Sequence, residues 1–411
     1  MDKTSLIDQL SDPAVWNAFL EDRSKRSRLS ERDLKELRVF VGDQAYRRIT
    51  SDMHFGLPEK KSIVKMGSSK KRIVYSYGRD ETWILKLLTW LLEQYGSSFA
   101  DSCYSFRRER TAKDAFVRIR TIPDLDRLYA VKADIHDYFN SMDTDILCDK
   151  LAEIMKEDPK LLSFLHELLH QDACVEHGMI VPEKRGGMAG VPVSAFFANV
   201  YLTELDKRFE TKGIPYFRYS DDILFFAKTE EAAEEGFRMI EDYLAEVRLT
   251  INPDKVSVSK PGESWEFLGL KYAGGQFDLS DVTVEKMKGK IRRKARALYR
   301  WRCEKGASFQ RAASAMIRSF DRQFYDLSGD SSFCWTRWFF PLITVSCGLK
   351  QIDECMVEYL RYLSSGRHYK GNYRITYEEL KKLGYTPLVS EYYRWIRDCE
   401  SLREADGQDQ T

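Results

Sequence analysis

The stretch FRYSDDILFF, residues 217–226, constrains this chain more than any other. Two runs of β-forming residues, PYFRYS and ILFFAK, are separated only by Asp221 and Asp222. A two-residue break between strand-like runs signals a hairpin. The spacing therefore predicts antiparallel strands with both carboxylates at the tip. Adjacent like charges repel, and partly burying them is unfavourable unless something positive compensates. A second candidate strand, RLYAVKADI (127–135), carries Asp134 near its exit. If it neighbours the hairpin, three carboxylates meet at one sheet edge. Oxygen-only ligands suit a hard divalent cation, Mg2+ or Mn2+. Two such ions stabilise the attacking and leaving oxygens of phosphoryl transfer.

The flanking sequence sets the fold class. RIVYSY (72–77) alternates as a strand, and WEFLGLKYAGGQFDLS (265–280) reads as a short hairpin. Helical spacing runs through 80–96, 143–155, 194–210 and 231–247, with Ser194 as an N-cap. Residues 1–57 read as charged helices, and from about 281 the chain turns helical and basic. Strands and helices mix without regular βαβ alternation, which makes the class α+β.

Charge narrows the partners. The 411 residues carry a formal net charge of only +1, yet its distribution is uneven. Residues 285–302 hold nine Lys or Arg against Glu285 alone, and 59–72 hold six bases against one acid. Residues 398–409 are acidic. Segregated charge of this kind is the footprint of a phosphate-backbone binder. The longest apolar runs, 83–92 and 338–345, are far shorter than the ~20 residues of a membrane span. The first residues lack the basic and apolar regions of a signal peptide. Eight scattered cysteines form no Cys-x-x-Cys pair, which fits reduced thiols in a cytoplasmic protein.

Six motifs, in order, carry a resemblance across roughly residues 60–275. YSDD resembles motif C of reverse transcriptases, and ADIHDYFNSM (133–142) is similar to their motif A. SCYSFRRERTAKDA (102–115) resembles the fingers motif of bacterial enzymes related to group II introns. GGMAGVPVSAFFANVYLTELD (186–206) looks like motif B, LTINPDK (249–255) like the end of motif D, and FLGLKY (267–272) like motif E. The resemblance implies a right-hand polymerase, with fingers and palm at 58–280 after a helical extension, 1–57. A basic thumb-like helical domain, 281–345, and a C-terminal helical region, 346–411, would follow. Residues 347–385 are more similar to stand-alone bacterial reverse transcriptases of the abortive-infection and phage-defence groups. Motif B departs from the usual Gly-x-Pro-Gln-Gly: Met188 and Ala189 stand where Pro-Gln would.

Roles follow by resemblance. Asp134, Ile135, Asp221 and Asp222 would form the metal site for two Mg2+ ions, or Mn2+. Phe139 would stand under the sugar and disfavour a 2′-OH. Lys71 and Arg72 would hold the triphosphate. Lys255 would act as general acid toward pyrophosphate. Ile135, Gly190, Ser194 and Asn199 would border the nascent pair, and Phe267, Leu268 and Gly269 would grip the primer. Arg107, Arg110, Lys290, Arg292, Arg293 and Arg296 would contact nucleic-acid phosphates. The expected reaction is RNA-directed DNA synthesis from dNTPs, on an RNA template such as a dedicated non-coding RNA, in antiphage defence. A template-independent, protein-primed polymerase, a group II intron or retron-type enzyme and a non-catalytic RNA-binding module are the alternatives. The sequence leaves oligomeric state open, homo-oligomers included.

Overall fold

The computed structural model describes residues 4–25, 29–64, 71–184, 186–325 and 334–408. Part of the basic run 59–72, residues 65–70, lies outside that range, as does residue 409 of the acidic tail. The chain divides into two units, one ending at Glu263 and one beginning at Ser264.

The first unit holds two sheets. In the expected palm, strands β3 (Tyr129–Asp134), β6 (Tyr216–Tyr219), β7 (Asp222–Ala227) and β8 (Ser257–Ser259) pair antiparallel in the order β6-β7-β3-β8. Ile223 to Ala227 are all buried, so the strand reads as a continuous apolar run rather than an alternating one. The helices Ser194–Thr211 and Glu230–Glu246 pack against this sheet. Gly236 permits the close approach, since a Cβ there would lie 2.6 Å from the Phe225 ring. The expected fingers carry β1 (Glu59–Val64), β2 (Lys71–Ser76), β4 (Ala173–Glu176) and β5 (Met179–Pro182), ordered β2-β1-β4-β5.

The N-terminal helices form as expected and are tied down. Trp16 is fully buried, donates to the Leu10 carbonyl at 2.8 Å and stacks on Tyr46. Buried Asp158 accepts from Ser5 Oγ at 2.6 Å and the Leu6 amide at 2.8 Å.

The second unit opens with three strands where a hairpin was expected: β9 (Trp265–Phe267), β10 (Leu270–Ala273) and β11 (Gln276–Leu279). Leu268 and Gly269 make the first turn, both at positive φ (46° and 87°), and two residues suffice to reverse the chain. The helix Asp281–Lys305 follows, capped by Ser280, whose hydroxyl accepts from the Thr283 amide. Val284, Met287, Ile291 and Ala295 recur at helical spacing and form its buried seam. The helices Phe309–Tyr325, Cys347–Ser365 and Leu388–Gln408 complete the unit. No helix among the described residues is long and apolar enough to cross a membrane.

Candidate active site

The hairpin places its carboxylates one position away from the expected register. The two-residue turn is Ser220–Asp221, and Asp222 opens β7 opposite Tyr219. Ser220 takes φ +61°, the left-handed value that tight hairpin turns require. This shift aims Asp221 and Asp222 differently. Asp222 sits in the ladder directly opposite Asp134 on β3, whereas Asp221 stays at the tip. The Asp221 carbonyl accepts from the Ile135 amide at 3.3 Å, stitching tip to strand exit. The segment around Thr250–Asn252 closes the other side: the His136 amide donates to Thr250 O, and the Asn252 amide to Asp134 O. Three chain segments, far apart in sequence, thus converge on one edge.

Electrostatics follow from that convergence. Burial pushes the Asp221 carboxyl up, and nearby Asp222 and Asp134 push it further. Burial likewise raises Asp222, with Lys132 opposing and Asp134 adding. Two lysines answer the charge. Lys255 Nζ lies 2.5 Å from Asp134 Oδ1, and Lys132 Nζ lies 3.8 Å from Asp222 Oδ1.

A cavity of about 270 Å³ opens at this edge. Asp134, Ile135, Phe139, Gly190, Asp221 and Lys255 line it together with Arg72 of β2. Lys71, the adjacent strand residue, is exposed and does not line it, as strand alternation dictates. The motif B loop joins the cavity to the fingers. Ala189 O accepts from the Tyr75 amide at 2.7 Å, and Gly187 N donates to Phe139 O at 2.6 Å. A Cβ on Gly190 (φ +98°) would meet Tyr75 O at 2.9 Å, so only glycine fits.

The family match joins this geometry. Residues 59–272 match the family described as reverse transcriptase (RNA-dependent DNA polymerase), more than half of the chain.

The chain belongs to the reverse transcriptase family.

The three carboxylates expected from the sequence, Asp134, Asp221 and Asp222, lie within the matched span of this reverse transcriptase, with Asp134 paired opposite Asp222. No curated protein matches the chain. Among solved structures, apo telomerase from Candida tropicalis is 14% identical with TM-score 0.46, over 76% of this chain and 64% of that one. A form of the same telomerase truncated from its C-terminal domain is 15% identical, TM-score 0.40, over 54% and 55%. Telomerase from Candida albicans with the TWJ fragment of telomeric RNA is 13% identical, TM-score 0.42, over 87% and 70%. The chain thus spans less than two thirds of the first two, and likenesses this distant say nothing of substrate or partner.

Several expected roles fall elsewhere in this reverse transcriptase. Arg107 donates to the carbonyls of Ala100, Cys103 and Gly96, closing the turn before its own motif. Arg110 pairs with Asp101 at 2.7 Å. Both guanidiniums have local partners. Asn199 is buried and binds Ser105 through both its oxygen and its nitrogen, so it ties the fingers motif to the palm helix. Ser194 is the first helical residue, not the cap; its hydroxyl donates to Met188 O. Met188 is fully buried beneath Tyr77, so it fills the core, while Ala189 lines the cavity.

Two residues escaped sequence reasoning. Arg218 is wholly buried, pairs with equally buried Asp206 through two contacts of 2.6 and 2.7 Å, and donates to Ser220 O at 3.3 Å. It holds the hairpin turn from beneath. Lys132 is the second. Each is the sole cation of its strand, YFRY and YAVKAD.

By donor type alone, Asp134, Asp221 and Asp222 suit divalent metal ions. Three carboxylates are hard oxygen donors, and their mutual repulsion and burial call for positive charge. Among the described residues, no three His, Cys, Asp or Glu side chains stand arranged to hold an ion. Lys255 and Lys132 supply the compensation instead.

In the second unit, Phe267 is buried, and Gly269 O accepts from Thr283 Oγ1 at 2.9 Å, locking the expected primer-grip turn to the following helix. The basic face of that helix is split. Lys288 reaches Gln351, Arg292 donates to Tyr359 Oη, and Arg302 donates to Leu363 O and Ser364 O. Arg293 and Arg296 are exposed. Burial and neighbouring Arg293 push the Lys290 ammonium below the usual lysine value.

Proposed function

We propose that this protein is an RNA-directed DNA polymerase whose reaction occurs at the Asp134–Asp221–Asp222 edge. The observation that carries the reading is the ladder pairing of Asp134 with Asp222 beside Asp221, where Asp134 and Asp221 line a cavity that Arg72, Phe139 and Lys255 also line. Asp134, Asp221 and Asp222 would hold two divalent ions, Mg2+ in the cell. The chemistry such ions would supply there is a lowered pKa for the primer hydroxyl and compensation of the charge on the departing pyrophosphate.

The chain's own residues do the rest. Arg72 meets the triphosphate from the fingers and neutralises its charge. Phe139 packs against Phe106 and Tyr138, which fixes its ring where a ribose 2′-oxygen would clash. Lys255, released from Asp134, gives a proton to the leaving pyrophosphate. Arg218 fixes the turn that presents Asp221. Exposed Arg293 and Arg296, with Lys290, would bind template–primer phosphates irrespective of sequence.

The finer reading is a cytoplasmic bacterial enzyme that copies a non-coding RNA in antiphage defence. It rests on the resemblance of residues 347–385 to stand-alone defence-associated reverse transcriptases. The test is incorporation of dNTPs on a defined RNA template with sequencing of the product. Complementary DNA that disappears in Asp221→Asn supports the reading. Product unrelated to the template would instead favour template-free synthesis, and no product on any template would overturn the polymerase.

A further inference from the structure

The C-terminal region contains a cavity that the polymerase reaction does not use. It measures about 810 Å³ and lies between the helix Cys347–Ser365, the loop after it and the start of the helix Leu388–Gln408. Its wall is rich in tyrosine, and three of the rings face solvent: Tyr369 is 52% exposed, Tyr373 68% and Tyr377 36%. Exposed aromatic rings clustered around one opening are uncommon on a surface with no partner.

The rings are held in place. A Cβ on Gly371 would lie 2.4 Å from the Tyr369 ring, so the ring rests on bare glycine backbone. Arg361 sits 4.9 Å from the Tyr373 ring centroid while its Nε donates to Ile375 O. Lys381 lies 4.9 Å above Tyr377, which also packs edge-on against Tyr385. Buried Asn372 braces the loop between them, donating to Arg367 O at 2.6 Å and accepting from Ser365 Oγ at 2.8 Å. A loop pinned in this way loses little entropy when a ligand lands on it.

Cations stand beside the rings. Lys350, Arg361 and Lys370 line the opening. Of the acids on the wall, Asp353 accepts from the Leu388 and Val389 amides and from Tyr385 Oη, Glu358 pairs with His368 at 2.7 Å, and Glu354 is exposed. Asp353 thus serves the fold, whereas Lys350 and Lys370 are exposed. Three rings and three cations exceed what one base and one phosphate can use.

We propose that this cavity is a second nucleic-acid site, which holds a single strand of RNA or DNA by stacking bases on Tyr369, Tyr373 and Tyr377 and pairing phosphates with Lys350, Arg361 and Lys370. Base–aromatic stacking beside cations is the general means of holding a strand without reading its sequence. The choice of occupant, though not the cavity, rests on the polymerase reading.

The test uses the full chain in EDTA without dNTPs. Labelled oligo(U) and oligo(dT) of roughly 12 nucleotides are titrated by fluorescence anisotropy, beside UMP and dTMP. Affinity should rise with length and fall as salt rises. The double variant Tyr369→Ala/Tyr373→Ala should bind about tenfold more weakly or worse, whereas Tyr369→Phe/Tyr373→Phe, which keeps both ring faces, should bind as the native chain does. Photocrosslinks should fall within 361–385. Tighter binding of the RNA arm identifies the template as occupant, and of the DNA arm the product. Native-like binding by the alanine pair, or a mononucleotide that binds as tightly as the strand, would overturn the site. A chain that binds through these tyrosines yet incorporates no dNTP refutes the polymerase reading alone. One that copies RNA while the alanine pair binds unchanged refutes this site alone.

Discussion

Two ion pairs within the palm unit behave in opposite ways. Arg218 and Asp206 are both 0% exposed, bonded through two contacts, and surrounded by further acceptors for the guanidinium. Lys255 and Asp134 are equally close at 2.5 Å, but Lys255 is 45% exposed and Asp134 only 5%. The first pair has no route to water, and every other partner of the guanidinium is also buried, so it is structural. The second has one fixed member and one that can leave for solvent, so its place on Asp134 can be exchanged for another cation. Burial, more than contact distance, separates a brace from a site.

The largest effect expected from breaking this contrast lies at the brace. Arg218→Met would leave Asp206 charged and unpaired in the core, at a cost of about 3–5 kcal/mol. Chemical denaturation should show a chain that is unfolded or nearly so. A fold as stable as the native one would mean that the pair is not what holds the turn. At the site, Asp134→Asn should do the reverse. Incorporation of dNTPs should fall at least a hundredfold, or about 3 kcal/mol of barrier, with the melting temperature preserved.

That asymmetry also marks what the sequence revealed and what it withheld. The hairpin was legible because β-formers flank a two-residue break, yet the turn centre fell one residue early, since Ser220 rather than Asp222 takes the left-handed position. Asp134 was legible as a carboxylate near a strand exit. Its pairing with Asp222 was not, because ladder register between distant strands is set by core packing. Arg107, Arg110 and Asn199 carry motif letters, but whether a polar side chain faces a ligand or a local carbonyl depends on loop geometry that sequence does not encode locally. Arg218 was overlooked for the converse reason: its partner Asp206 lies in the preceding helix, and nothing in YFRY alone names it.

A smaller effect concerns the sugar. Phe139→Val should raise rNTP use relative to dNTP by about tenfold or more without lowering stability much, because the half-buried ring borders the cavity instead of filling the core. Competition between dNTP and rNTP on one template measures it, and an unchanged ratio would remove Phe139 from the gate.

The smallest is a pH dependence of the metal-free fold. Asp221 and Asp222 hold protons more tightly folded than unfolded, chiefly through burial. Their contribution to stability is therefore full below the ordinary carboxylate range and lost as pH rises through the raised folded values. In EDTA the melting temperature should decline by about 1–3 °C across that window. Asp221→Asn should flatten the decline. A melting temperature that instead rises with pH there would contradict the repulsion.

The most direct measurement is binding of Mn2+, followed by the loss of its free electron-spin resonance signal, in the native chain, Asp221→Asn and Lys255→Met. If Lys255 is an exchangeable occupant of the Asp134 carboxylate, Lys255→Met binds Mn2+ more tightly than the native chain, and Asp221→Asn binds it more weakly. Equal binding by all three proteins would show that this edge is not where the metal sits.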